Sequence, residues 1–155
     1  LNILTKVNIR KKDRVQPRER KFNFLKYLRV VRYYVKRKYD ISSSELDMLL
    51  FLYDVPFFKK EEFKYYENSM SWDKKRFKSM MDKGLIKQWR TDSGRYARGK
   101  LYELTHLGKS ICSITYKKLT QEELISENPR LNPIFKKETY TDKVYRSIIE
   151  KMNAR

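Results

Sequence analysis

The residue types in this chain that can do chemistry are mostly cations, and they fall into three groups. Lys74, Lys75, Arg76 and Lys78 crowd one segment together with Trp72. Arg90, Arg95, Arg98 and Lys100 surround a second segment that holds Gly94, Tyr96 and Gly99. Arg10, Lys11, Lys12 and Arg14 form a third group near the start of the chain. Clustered lysines and arginines neutralise phosphates and release the counterions condensed on them, which is binding chemistry rather than turnover. The ingredients of turnover are sparse. His106 is the sole histidine and Cys112 the sole cysteine, so a Cys–His metal cluster cannot be assembled. Cys112 falls on the expected inner side of a helix, where a thiol packs rather than attacks. Glu61 and Glu62 adjoin each other and so point to different helix faces, which makes them poor acid–base partners. No phosphate-binding loop, dinucleotide fingerprint or zinc signature occurs. The expectation is a non-enzymatic protein without a cofactor or a metal.

The bulk composition points the same way. The 155 residues hold 37 Lys and Arg against 19 Asp and Glu, a formal net charge of +18. Such a chain repels itself, and a polyanion offsets that repulsion well. A basic surface kept for solubility and an anionic membrane surface are the competing explanations, the second without a separate basic amphipathic helix to support it. The hydrophobic fraction is 40%, with 12 Tyr, 8 Phe and 2 Trp, which is enough for a folded core. A single cysteine rules out an internal disulfide and fits a reducing compartment. No apolar run reaches bilayer-spanning length, and the opening LNILTKVNIRKK has no apolar signal-peptide core. The expected location is the cytoplasm of a bacterial or phage-infected cell, associated with the nucleoid.

The positioning elements follow from periodicity. Residues 1–21 read as a basic arm, either a solvated tail or a segment that orders on phosphate. Phe24, Leu25, Leu28, Val31 and Val35, widened by Tyr27 and Tyr34, predict a helix over Phe22–Tyr39. That helix serves either a dimer or a monomer core, and spacing does not separate the two. A second helix starts at Ser42-Ser43-Ser44, with Ser44 and Asp47 resembling a capping box, and ends at Asp54-Val55-Pro56. Leu46, Leu49, Leu50 and Tyr53 form its stripe. A third helix is expected from Lys59 to Asn68. A fourth, over residues 71–83, starts at Ser71, turns Phe77, Met80 and Met81 inward, and closes at Gly84. Residues 85–90 and 100–104 alternate as two strands around a polar loop. Thr105 caps a further helix with Leu107, Ile111 and Ile114 inside. Gln121–Ile125 reads as a helical turn, and Asn128-Pro129 and Asn132-Pro133 as loop. A last helix runs from Thr141 to Met152 with Val144, Ile148 and Met152 spaced by four.

Helix, turn, helix, strand, loop, strand is the order of a helix-turn-helix followed by a wing. The second helix of such a pair enters the major groove and the first braces on the backbone. Residues 71–83 suit that role, apolar on one side and basic on the other. Arginines at a hairpin tip suit a phosphate or a narrow minor groove, and Tyr96 adds a hydroxyl donor. From about Ser44 to Lys118 the chain resembles the MarR-type winged helix proteins. The resemblance rests on SWDKKRFKSMMDKGLIKQWR and KLYELTHLGKSI: Met80 four before Gly84, the Lys-Gly-Leu-Ile run, and Leu104, Thr105 and Gly108 after the wing. It implies a DNA-binding dimer built by flanking helices, here Phe22–Tyr39 and the C-terminal helix. The family's Asp-x-Arg wing signature is matched only near Arg98, and Asp73 and Arg76 stand where the family has apolar residues.

The resulting fold class is mainly α with a small β-hairpin wing, a winged helix-turn-helix with flanking N- and C-terminal helices. The expected divisions are 1–21, a basic arm; 22–119, the winged domain with its leading helix; and 120–155, a C-terminal extension and helix. The expected function is double-stranded DNA binding as a transcriptional regulator. Lys74, Lys75 and Lys78 would face the groove, and Arg95 and Arg98 the backbone. The competing expectation is a structural component of a nucleoprotein assembly that binds without sequence preference. A winged helix used as a protein-binding module, and RNA binding, rank behind these.

Overall fold

The computed structural model describes residues 24–66, 69–70, 74–90 and 100–154. The expected basic arm, the cap at Ser71 and the loop of residues 91–99 lie outside them. The described chain is mainly helical with a small antiparallel sheet.

Helix α1, Phe24–Tyr39, buries Tyr27, Val30, Val31, Tyr34 and Val35. Its apolar stripe starts later than spacing alone suggested: Phe24 and Leu25 are 47% and 79% exposed. Helix α2, Ser43–Leu52, is capped by Ser42 rather than Ser44. Ser42 Oγ accepts from Glu45 N at 3.1 Å, and Glu45 Oε2 accepts from Ser42 N at 2.9 Å. The longer Glu side chain reaches back to the cap where Asp47 would not, and Asp47 instead pairs with Arg32 at 2.9 Å. Leu46, Met48, Leu49 and Leu52 fill the inner side of α2, while Tyr53 lies past its end and faces solvent.

Strand β1, Phe58–Lys59, is two residues long and carries no alternation to read in advance. Helix α3, Glu62–Tyr66, starts later than expected, because Lys59 belongs to the strand and residues 60–61 form a turn; residues 67–68 lie outside the described ones. Helix α4, Lys74–Asp82, leads into β2, Ile86–Arg90, and β3, Leu101–Leu104, returns antiparallel to it. The sheet order is β1-β3-β2, with Phe58 and Gln88 both opposite Tyr102. Side chains alternate across a strand, so Phe58, Tyr102, Ile86 and Leu104 face the core, where all are buried.

Helix α5, His106–Leu119, is capped by Thr105 as expected. It buries Gly108, Ile111, Cys112 and Thr115, whereas Leu107 is turned out. Residues 121–125 form no helix, but Ile125 is buried. A 3-10 turn over Pro133–Lys136 is fixed by Asn132, whose Oδ1 accepts from Ile134 N at 3.0 Å and whose Nδ2 donates to Ser126 O at 2.8 Å. Helix α6, Tyr140–Asn153, starts at the cap Thr139. Its inner residues are Asp142, Tyr145, Ile149 and Met152, so the expected Val144–Ile148 stripe is one residue out of phase and faces solvent. The phase is set by Asp142 and Tyr145, polar-tipped residues that hydropathy alone does not weight. Both engage α1: Tyr145 stacks on Tyr33 at 3.9 Å, and Asp142 accepts from Tyr33 Oη at 2.7 Å.

The end of α4 is a Schellman motif. Leu85 N donates to Met80 O at 2.9 Å and Gly84 N to Met81 O at 3.0 Å, with Gly84 at φ +71°. Gly108 approaches the same place from α5: a Cβ there would sit 2.7 Å from Leu85 O. Gly84→Ala is expected to cost about 1–2 kcal/mol through backbone strain alone. Gly108→Ala is expected to cost about 1–3 kcal/mol by overpacking, despite its helical position. Urea unfolding of both variants checks this; a stabilised Gly108→Ala would show that α5 can slide away from β2.

Candidate functional site

Helix α4 carries the first cation group. Lys74, Lys75 and Lys78 are all exposed. Among the described residues no carboxylate forms an ion pair with any of the three. Arg76 differs: it is partly buried and engaged within the chain. Phe77 and Met80 lie on the other side at 3% and 0% exposure. Phe77 packs edge-on against Phe63 and Tyr102, ring centroids 5.5 and 5.0 Å away, so α3 and the sheet both hold it.

The far end of α4 is tied to α2 by Glu45. Its side chain is buried, yet every direction around it supplies a donor. Ser79 Oγ donates to Oε1 at 2.7 Å, Lys83 Nζ to Oε2 at 2.9 Å, and Ser42 N to Oε2. Lys83 Nζ also donates to Asp40 O at 2.9 Å, which brings the end of α1 into the same cluster. Burial pushes the Glu45 carboxyl up, but the donors from Ser42, Lys83 and Ser79 outweigh it and hold it below its ordinary 4.5.

The residues that carry the family resemblance converge on one junction. Thr105 Oγ1 accepts from Gly108 N at 3.2 Å and donates to Gly84 O at 2.6 Å, while Thr105 N donates to Leu85 O. Met80, Gly84, Leu85, Leu104, Thr105 and Gly108 thus join α4, β2, β3 and α5. Their role is to set the angle between α4 and the hairpin.

The second cation group is placed only in part. Lys100 is exposed just before β3, and Arg90 ends β2. Trp72, Arg95, Tyr96 and Arg98, and the arm residues Arg10, Lys11, Lys12 and Arg14, lie outside the described residues.

Other basic residues, which the sequence places on the outer side of α1, are engaged within the chain. Arg29 Nε donates to Tyr145 Oη at 3.1 Å, and Arg37 Nη2 pairs with Asp142 at 3.2 Å and Glu138 at 3.4 Å. Asp142 is fully buried. Burial raises its pKa, but Tyr33, Thr139 and Arg37 bring it net below the ordinary 3.8. An open groove of about 360 Å³ lies between α1, Ser43 and Tyr145. Two of its three cations are already engaged, Arg32 by Asp47 and Arg29 by Tyr145. Burial pushes the Cys112 thiol up to about 12, so it stays protonated at neutral pH. Among the described residues there is no His, Cys, Asp and Glu group that could hold a metal, and no helix is long and apolar enough to cross a membrane.

Composition missed Glu45 and Asp142, the two buried carboxylates. The Ser42-x-x-Glu45 spacing was the signal for the first; nothing local marks the second. Compared with protein-family models, curated proteins and solved structures, the chain matches none.

Glu45→Ala removes a cap and the acceptor of two side-chain donors, and is expected to cost about 2–3 kcal/mol. The native carboxylates 45 and 142 titrate below their unfolded values, so their contribution is complete above those values and fades as pH falls through the folded ones. Stability should therefore drop as pH falls below about 4.5. In urea titrations from pH 7 to pH 3, Glu45→Gln should show a shallower acid limb; an unchanged limb would exclude Glu45 as a source of it.

Proposed function

We propose that the chain is a winged helix-turn-helix protein that binds double-stranded DNA and acts as a transcriptional regulator. The carrying observation is the division of α4: Lys74, Lys75 and Lys78 face solvent without ion pairs among the described residues, while Phe77 and Met80 anchor the helix. The order α2, β1, α3, α4, β2, β3 with sheet order β1-β3-β2 supports the reading. It supplies the two helices, the short strand that braces the hairpin, and the hairpin itself. The resemblance to MarR-type proteins adds to it through the junction residues.

On this reading α4 enters the major groove, with its lysines at base edges and the adjacent phosphates. Arg95 and Arg98 of the wing, together with Arg90, Tyr96 and Lys100, meet the backbone. The arm at Arg10, Lys11, Lys12 and Arg14 adds phosphate contacts that carry no sequence information. A homodimer is the natural form for a palindromic site. Its contact would use the outward apolar residues of the flanking helices, Phe24 and Leu25 on α1 and Val144 and Ile148 on α6.

The second reading is a structural component of a nucleoprotein assembly that holds phosphate without reading bases. The net charge of +18 favours it, because it far exceeds what three groove-facing lysines need.

Selection from a random duplex library at physiological salt separates the two. Enrichment of a roughly palindromic site supports the regulator; retention without enrichment supports the assembly protein. For an enriched site, Lys75→Ala and Lys78→Ala should each weaken binding by about 1–3 kcal/mol if they touch bases. Unchanged affinity in both removes α4 as the reading element.

A further inference from the structure

We propose that the outer face of the sheet is a stacking platform for unpaired bases of single-stranded DNA, centred on Phe57 and Trp89. The inner face of the sheet already holds its aromatic complement, Phe58 and Tyr102, both buried. Phe57 and Trp89 are additional to that core. They are 40% and 46% exposed, large rings left half in water.

Their placement follows from the pairing. Phe58 lies opposite Tyr102 on one side of β3, and Gln88 lies opposite Tyr102 on the other. Phe57 and Trp89 are each one residue from these inward-facing positions and so share the outer face. The ladder slips between Gln88 and Arg90, which leaves Trp89 as the unmatched residue of a bulge. Bulges re-aim side chains next to functional surfaces. Here the two rings meet across the central strand with centroids 4.4 Å apart and planes at 46°. The tilt leaves the rings partly open to solvent rather than closed face to face.

The surroundings select the occupant. Lys59 and Lys87 alternate onto the same face, and Lys100 lies at the entrance to β3. Two carboxylates lie nearby among the described residues: Glu103 pairs with Lys87 at 3.1 Å, and Glu62 Oε2 accepts from Lys59 N at 3.2 Å. Open aromatic rings edged by lysines match a strand whose bases stack while its phosphates meet the cations. An apolar protein partner would desolvate Lys59 and Lys100 without supplying an anion to either. The platform rests on the proposed DNA reading only for the choice of DNA. It adds that the chain engages a single strand beside, or melted from, the duplex under α4.

The test titrates the full chain with oligo(dT), oligo(U), a blunt duplex, and the same duplex with a single-stranded tail. Anisotropy reports binding, and tryptophan emission reports stacking; the chain has two tryptophans, Trp72 and Trp89. Oligo(dT) and the tailed duplex should quench emission, and the part due to Trp89 should vanish in Trp89→Phe, which keeps an aromatic face and most of the affinity. Trp89→Ala and Phe57→Ala should each weaken oligo(dT) binding about tenfold, with blunt-duplex affinity retained as the control for folding. Quenching undiminished in Trp89→Phe, or unchanged oligo(dT) affinity in both alanine variants, overturns the platform. So does tighter binding of oligo(U) than of oligo(dT). Blunt duplex bound as tightly as the tailed one, with no oligo(dT) binding, overturns the platform and leaves the reading of α4 standing. Loss of every complex overturns both.

Discussion

The arrangement of this molecule depends on a carboxylate that is buried and still charged. Glu45 sits at 4% exposure, where an unpaired anion would be costly to hold. Donors from Ser42, at the start of α2, and from Ser79 and Lys83, at the end of α4, make it tolerable. Ser42 begins α2, Ser79 lies in α4, and Lys83 follows α4 while also holding the carbonyl of Asp40 after α1. Satisfying one charge therefore forces three helix ends into a single arrangement. An apolar contact at this place would tolerate rotation of α4 about its axis; a set of hydrogen bonds does not.

A second buried carboxylate repeats the device at the other side of α1. Asp142 draws Tyr33 and Arg37 onto α6, and Tyr145 stacks on Tyr33 beside it. The two carboxylates divide the cations of the chain. On α1, Arg32 and Arg37 are counter-ions to Asp47, Asp142 and Glu138, and Arg29 and Lys38 are held by Tyr145 and Tyr34. Lys74, Lys75 and Lys78 on α4 form no ion pair among the described residues, whereas Arg76 beside them is engaged. The net charge of the chain does not reveal this division, because it counts Arg37 and Lys78 alike.

What could be read in advance follows from how far each signal reaches. The long helices, Gly84 at the end of α4, the Thr105 cap and the hairpin strands were legible, since each rests on residues within a few positions of one another. The capping box was legible too, but two serine-led spacings compete in SSSELD, and only the reach of the Glu side chain decides for Ser42. Strand β1 was not legible: two residues show no period, and they are a strand only because β3 lies beside them. The phase of α6 was misread because hydropathy ranks Val144 and Ile148 above Asp142 and Tyr145. The inner face was set instead by partners on α1, more than a hundred residues away. Of the candidate site, the α4 lysines were legible as a cluster, but their freedom from ion pairs was not, since it depends on which carboxylates the fold spends elsewhere.

That freedom carries weight because α4 is a poor helix by local rules. It is nine residues long, too short to persist alone. Among the described residues its first turn holds Lys74 and Lys75 and no acid, so two more positive charges lie close to its positive end. Lys78, one turn on, adds like-charge repulsion with Lys74. Local stability would favour acidic residues at the start of such a helix. The chain instead keeps cations there and anchors the helix from outside, through Phe77 on the aromatic cluster and Ser79 and Lys83 on Glu45. Local rules are most often broken where a surface serves something other than folding. A polyanion laid along α4 would remove both the dipole conflict and the repulsion, so the same three lysines that weaken the helix alone would stabilise it in a complex.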